Sequence, residues 1–185
     1  MYKKERFYKV TIATLLLLLF VVNTPIYSQR VAVSTNLVEW ATISPNIEVE
    51  VTLKEHISLS MQASCNPFNK ITNNLKFKHI TLSTEARYWF EQPLYAHYLG
   101  VNFIASDYNI STNKYATMGR LAGVGVGYGY SFILGNRLNL TPNIGVGYGY
   151  ISSYEYDDLG SKVNKTNGFK PIITQFGVRI SYIIN

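Results

Sequence analysis

Near the C-terminus the chain alternates strictly. Phe176, Val178, Ile180, Tyr182 and Ile184 are apolar, while Gly177, Arg179 and Ser181 are bare, charged or hydroxylic. A period of two marks a strand with two unlike faces. The same split runs through 46–53, where Ile47, Val49, Val51 and Leu53 oppose Glu48, Glu50 and Thr52. It recurs in 57–65, 79–90 and 95–108. A first strand is expected over 31–41. Two glycine-rich strands follow through 123–130 and 145–150, joined by the hairpin signal Leu134-Gly135-Asn136-Arg137-Leu138. The closing strand starts at about 171. No second apolar layer is available to cover these faces, so they are expected to meet lipid. The predicted fold class is all-β: an eight-stranded antiparallel transmembrane barrel of the outer-membrane type.

The connections sharpen this picture. Segments 54–56, 91–94 and 135–137 are short, whereas 66–78, 109–120 and 152–168 are long and polar; 42–45 is the short one of that second set. Short periplasmic turns and long outer loops produce such an alternation, with both termini in the periplasm. Aromatic residues fall into two expected girdles. Tyr88, Trp89, Phe90, Tyr95, Tyr98, Tyr130, Phe132 and Tyr182 lie toward the turn end. Tyr108, Tyr148, Tyr150 and Tyr154 lie toward the loop end.

The N-terminus has a different pattern. Lys3, Lys4, Arg6 and Lys9 precede an apolar run from Ile12 to Val22, and Ser28 is a small residue at an expected cleavage site. An apolar run of about 11 residues falls short of the roughly 20 that a spanning helix needs. Residues 1–28 are therefore read as a cleaved signal peptide and 29–185 as one barrel domain. Without residues 1–28, the formal charge falls from +6 to +3, with 13 basic and 10 acidic residues. The basic balance is thus partly export signal, and no nucleic-acid partner is expected. Cys65 is the sole cysteine, which excludes an intramolecular disulfide and a cysteine-based metal site.

Eight strands enclose a lumen that side chains nearly fill. On the two glycine-rich strands the inward face is Gly123, Gly125, Gly127, Gly129, Gly145, Gly147 and Gly149. Longer groups must fill the space they leave. An interior carboxylate–guanidinium cluster is expected around Glu85, Arg87 and Arg179 with Glu48 or Glu50, pinning the barrel and closing the pore. The alternating glycines match no phosphate loop. The three histidines, His56, His79 and His97, show no HExxH spacing, and no nucleophile elbow is present. No catalytic residue, metal or cofactor is predicted. The expected partners are outer-membrane lipid and lipopolysaccharide, met by the basic outer loops. A surface protein is expected at Tyr154, Tyr156, Asp157 and Asp158, and the barrel is expected to be monomeric.

Several short stretches carry a family resemblance: Thr35-Asn36-Leu37, Asn66-Pro67-Phe68, Glu85-Ala86-Arg87-Tyr88-Trp89-Phe90, Ile133-Leu134-Gly135-Asn136-Arg137 and Gly145-Val146-Gly147-Tyr148. In these the chain resembles a domain-of-unknown-function family of small outer-membrane proteins from Bacteroidota. The resemblance implies a barrel in the outer membrane of a Gram-negative bacterium, a link to surface fimbriae, and no activity. The chain departs from the usual terminal aromatic by ending in Asn185. The leading functional expectation is a non-catalytic barrel with a structural or surface-interaction role. A narrow channel or small-ligand-binding barrel is the alternative, followed by a lipid-modifying enzyme at His79.

Overall fold

A computed structural model describes residues 30–68, 75–112, 116–156 and 162–184. The expected signal peptide lies outside them. Eight strands follow one another around a closed antiparallel ring: β1 (Val31–Asn36), β2 (Asn46–Lys54), β3 (Ile57–Asn66), β4 (Leu75–Trp89), β5 (Ala96–Thr112), β6 (Ala116–Ile133), β7 (Leu138–Tyr156) and β8 (Lys162–Ile184). One helical turn, α1 (Leu37–Ala41), follows β1.

The alternation of the sequence becomes an inverted polarity. Glu48, Glu50, Glu85, Arg87, Asn102 and Arg179 are buried inside, while Met61, Leu82, Val101, Val126, Val146 and Ile173 are exposed outside. Val126 is 60% exposed and Arg87 only 2%. One ladder row runs from Val33 through Val49, Met61, Thr84, Phe103, Val124 and Tyr148 to Pro171. Val33 itself pairs with Tyr182, 11 positions beyond Pro171, so the ring closes with a stagger. A staggered ring of eight strands is tilted and has an interior that side chains can fill.

β8 carries a bulge. Gly145 pairs with Gln175 and Val146 with Ile173, leaving Thr174 as the extra residue. Thr174 is buried, and Gln175 bonds inward to Glu85. Before the bulge, odd positions such as Phe169 and Ile173 are the exposed ones. After it, even positions such as Phe176 and Tyr182 are exposed. A bulge shifts the two-residue phase by one.

Three expectations about elements need correction. The first strand stops at Asn36, because the Asn36 side chain accepts from Val38 N (3.1 Å) and caps α1. The same side chain reaches β8, donating to Phe176 O (3.2 Å) and accepting from Val178 N (3.3 Å). The long polar connections are in large part strand: β4 begins at Leu75, β5 runs to Thr112, β7 to Tyr156, and β8 starts at Lys162. Finally, Trp89 and Tyr98 do not belong to an outer girdle. They are 1% and 0% exposed and pack ring to ring at 4.9 Å inside the barrel.

These two rings form a floor at the turn end. Leu94, from the β4–β5 turn, and Ala32 complete it, with Ile183 packed alongside. Leu94 has a positive φ of 68°, an unfavourable conformation for a branched side chain. Its burial offsets that cost. Its carbonyl accepts from Ser131 Oγ (3.0 Å) and Asn139 Nδ2 (2.5 Å), so the turn is tied across to β6 and β7.

Candidate functional site

The lumen above this floor holds the most concentrated chemistry among the described residues. Arg87, on β4, stands at its centre. Its Nε donates to Glu85 Oε2 (2.7 Å), its Nη2 to Glu48 Oε1 (2.9 Å) and its Nη1 to Glu50 Oε2. Its guanidinium lies 5.0 Å from the Tyr98 ring centroid, within cation–π range. Arg179, on β8, lies 3.0 Å from Glu48 Oε2 and 3.8 Å from Glu85 Oε2. It donates to Tyr98 Oη (2.8 Å) and Gln175 Oε1 (2.6 Å). The five charged residues singled out in the sequence thus converge, with Glu48 and Glu50 both taking part. They alternate with neutral positions on β2 and β4, so strand period alone aims them inward.

The cluster is fastened to the floor by neutral donors. Ser58 Oγ donates to Glu50 Oε1, and Trp89 Nε1 donates to Ser58 Oγ (2.8 Å). Every carboxylate therefore meets at least one guanidinium, which a buried charge requires. Such an array resists opening, because withdrawing one member leaves its partners charged and unpaired.

The glycine face makes room for this array. Gly123, Gly125 and Gly127 sit opposite Gly149, Gly147 and Gly145 on successive inward rungs. A Cβ on Gly127 would lie 2.5 Å from Glu85 Oε1 and 2.7 Å from Gln175 Nε2. One on Gly129 would enter the Tyr98 ring. At Gly147 the obstacle is backbone, Val124 O and Gly125 Cα, so β6 and β7 approach more closely than side chains would permit.

Sequence reasoning missed Trp89, Tyr98, Gln175 and Glu39 as lumen residues. For Trp89 and Tyr98 the signal was present: each shares its parity with buried neighbours, Arg87 and Gly100. Gln175 sits beside an unmarked bulge. At the loop end His79 is half-buried, and its Nε2 lies 3.3 Å from Ser64 Oγ. Tyr154 and Tyr156 end β7, with Lys165 Nζ 5.6 Å from the Tyr154 ring centroid; Asp157 and Asp158 lie outside the described residues.

Residues 13–184 match a family described as protein of unknown function, DUF3575. The chain belongs to the DUF3575 family. The match covers nearly all of the chain, and so includes every charged residue of the lumen of this DUF3575 protein. No curated protein matches it.

Proposed function

We propose that this DUF3575 protein is a non-catalytic barrel of the Gram-negative outer membrane. In this reading its lumen is stoppered and its outer surfaces carry the function. The inverted polarity carries the reading. An outward belt including Leu82, Val101, Val124, Val126, Val146 and Ile173 leaves a large apolar surface uncovered, while charge is buried within. Water disfavours that arrangement and lipid favours it. The ring also leaves no open edge where its strands are paired, which is how a sheet can cross hydrocarbon. Residues 1–28 then act as the cleaved export signal. The loop-end strands, with Tyr154 and Tyr156, offer the surface for lipopolysaccharide and a surface or fimbrial protein. The chain works as a monomer.

Fractionation tests the location. The protein should stay with outer membranes through an alkaline wash, and it should migrate faster on gels unheated than boiled. Recovery in the soluble fraction with no heat-dependent shift refutes the proposal. The floor of Trp89, Leu94 and Tyr98 weighs against the channel alternative. The contact between Ser64 and His79 favours a second reading, hydrolysis at the rim. A fluorophosphonate probe that labels the protein and is lost in Ser64→Ala would establish it; absence of labelling would remove it.

A further inference from the structure

Two cavities lie on the loop side of the ion cluster. The upper one, about 50 Å³, is lined by Glu39, Gln62 and Ser64. The lower one, about 10 Å³, is lined by Glu48, Glu85 and Asn102. Ser83, Thr174, Gln175 and Arg179 line both, so the two form one column. Asn102 is 4% exposed, yet neither atom of its amide has a partner among the described residues. The same holds for Thr174 Oγ1 and, at the top of the column, for Glu39 Oε2.

A buried polar group without a partner costs about 1–3 kcal/mol. The Asn102 amide needs both a donor and an acceptor, and water supplies both. One water occupies roughly 10–15 Å³ of such space, so the lower cavity matches one water and the upper one several. In and directly beneath the column four carboxylates, Glu39, Glu48, Glu50 and Glu85, stand against two guanidiniums, Arg87 and Arg179. A low-dielectric cleft with that balance concentrates cations and repels anions.

The two ends of the column differ. At the loop end Glu39 Oε1 accepts from Gln62 Nε2 (2.6 Å) and Asn36 Nδ2 (3.1 Å), a latch made by side chains alone. At the turn end the Arg87–Tyr98 stack is followed by Trp89 and Leu94. We propose that the lumen is a one-ended hydrated well. Water and small cations enter from the loop side past the Glu39–Gln62 latch and stop at the aromatic floor. This holds for the folded barrel in detergent as well as in lipid, so it does not rest on the location proposed above.

Thiol labelling tests it. Ser83→Cys is placed in a Cys65→Ser background, and folding is verified by heat-dependent migration. Aminoethyl and sulfonatoethyl methanethiosulfonate are the cationic and anionic probes. The thiolate attacks the thiosulfonate sulfur, a disulfide forms and methanesulfinate leaves, and mass spectrometry follows the rate. Rates are normalised to those of a free cysteine peptide. The cationic probe should react at least tenfold faster than the anionic one. Gln62→Ala should raise both rates severalfold, and by more than Trp89→Ala does. If Trp89→Ala does not fold, Leu94→Ala takes its place. A silent Ser83→Cys with the latch intact and removed, a faster anionic probe, or acceleration by the floor variant but not by Gln62→Ala overturns the proposal.

Discussion

Replacing Arg87 with Met removes the one group that three carboxylates share. Met keeps much of the apolar stem and none of the charge. Glu48 retains Arg179 at 3.0 Å, and Glu85 retains it at 3.8 Å. Glu50 keeps only the Ser58 hydroxyl among its charged and hydroxyl contacts described above. Removing one partner of a buried ion pair costs about 3–5 kcal/mol, chiefly through the charge left behind. That corresponds to roughly a hundredfold to several-thousandfold change in the unfolding equilibrium. Urea unfolding of the refolded barrel measures it, followed through the fluorescence of Trp89, which sits directly beneath the cluster. The control is Arg120→Met. Arg120 is paired with Asp107 at 2.9 Å, a length like those around Arg87, but its side chain is 84% exposed. Exposed pairs contribute about 0–1 kcal/mol. Adding Glu50→Gln to Arg87→Met should recover part of the loss, because it removes the stranded charge. If Arg87→Met and Arg120→Met shift the midpoint equally, burial is not what gives the cluster its strength, and the argument fails.

Val126→Lys tests which solvent the outer belt meets: in lipid it should cost about 2–4 kcal/mol near the midplane, whereas a barrel bathed in water should unfold at an unchanged or higher urea concentration. Gly147→Ala should destabilise by about 1–3 kcal/mol, because its Cβ meets the β6 backbone; Gly135→Ala, which meets nothing within 4 Å, should stay near wild type in the same titration. Trp89→Ala should cost about 3–5 kcal/mol. If the floor is the barrier, planar-bilayer recordings of that variant should show openings absent from wild type, and identical traces would locate the barrier elsewhere.

The charged lumen was legible because it depends on parity alone. Once Val49 and Tyr88 point outward, Glu48, Glu50, Glu85 and Arg87 have no other direction. The same rule, strictly applied, also turns Trp89 and Tyr98 inward. Composition, the commoner habit of aromatic residues, points them to an outer girdle, and phase overrides it. α1 was not legible from period: Leu37-Val38-Glu39-Trp40-Ala41 continues an apolar-rich run, and only the Asn36 cap redirects it. Polar residues at the strand ends beyond the belt resemble turn composition, so composition predicts loops there. Ladder pairing with a neighbouring strand, from Leu75↔Thr112 to Tyr156↔Lys162, keeps them extended.

The bulge at Thr174 makes chain length a variable that no side-chain comparison captures. β8 is written in two frames, and Thr174 is the residue that separates them. Substitutions along it are local events, each confined to one contact. Deleting Thr174 itself would join the two frames into one regular alternation, with Phe169, Ile173 and Phe176 still outward and Arg179 still inward, whereas a one-residue deletion elsewhere in β8 must shift the bulge or turn a stretch of the strand over. Within this family, a relative one residue shorter at this point can keep both faces with a bulge-free strand, while one that keeps the length must keep the bulge. A gap in an alignment at this point therefore carries more structural information than any single mismatch beside it.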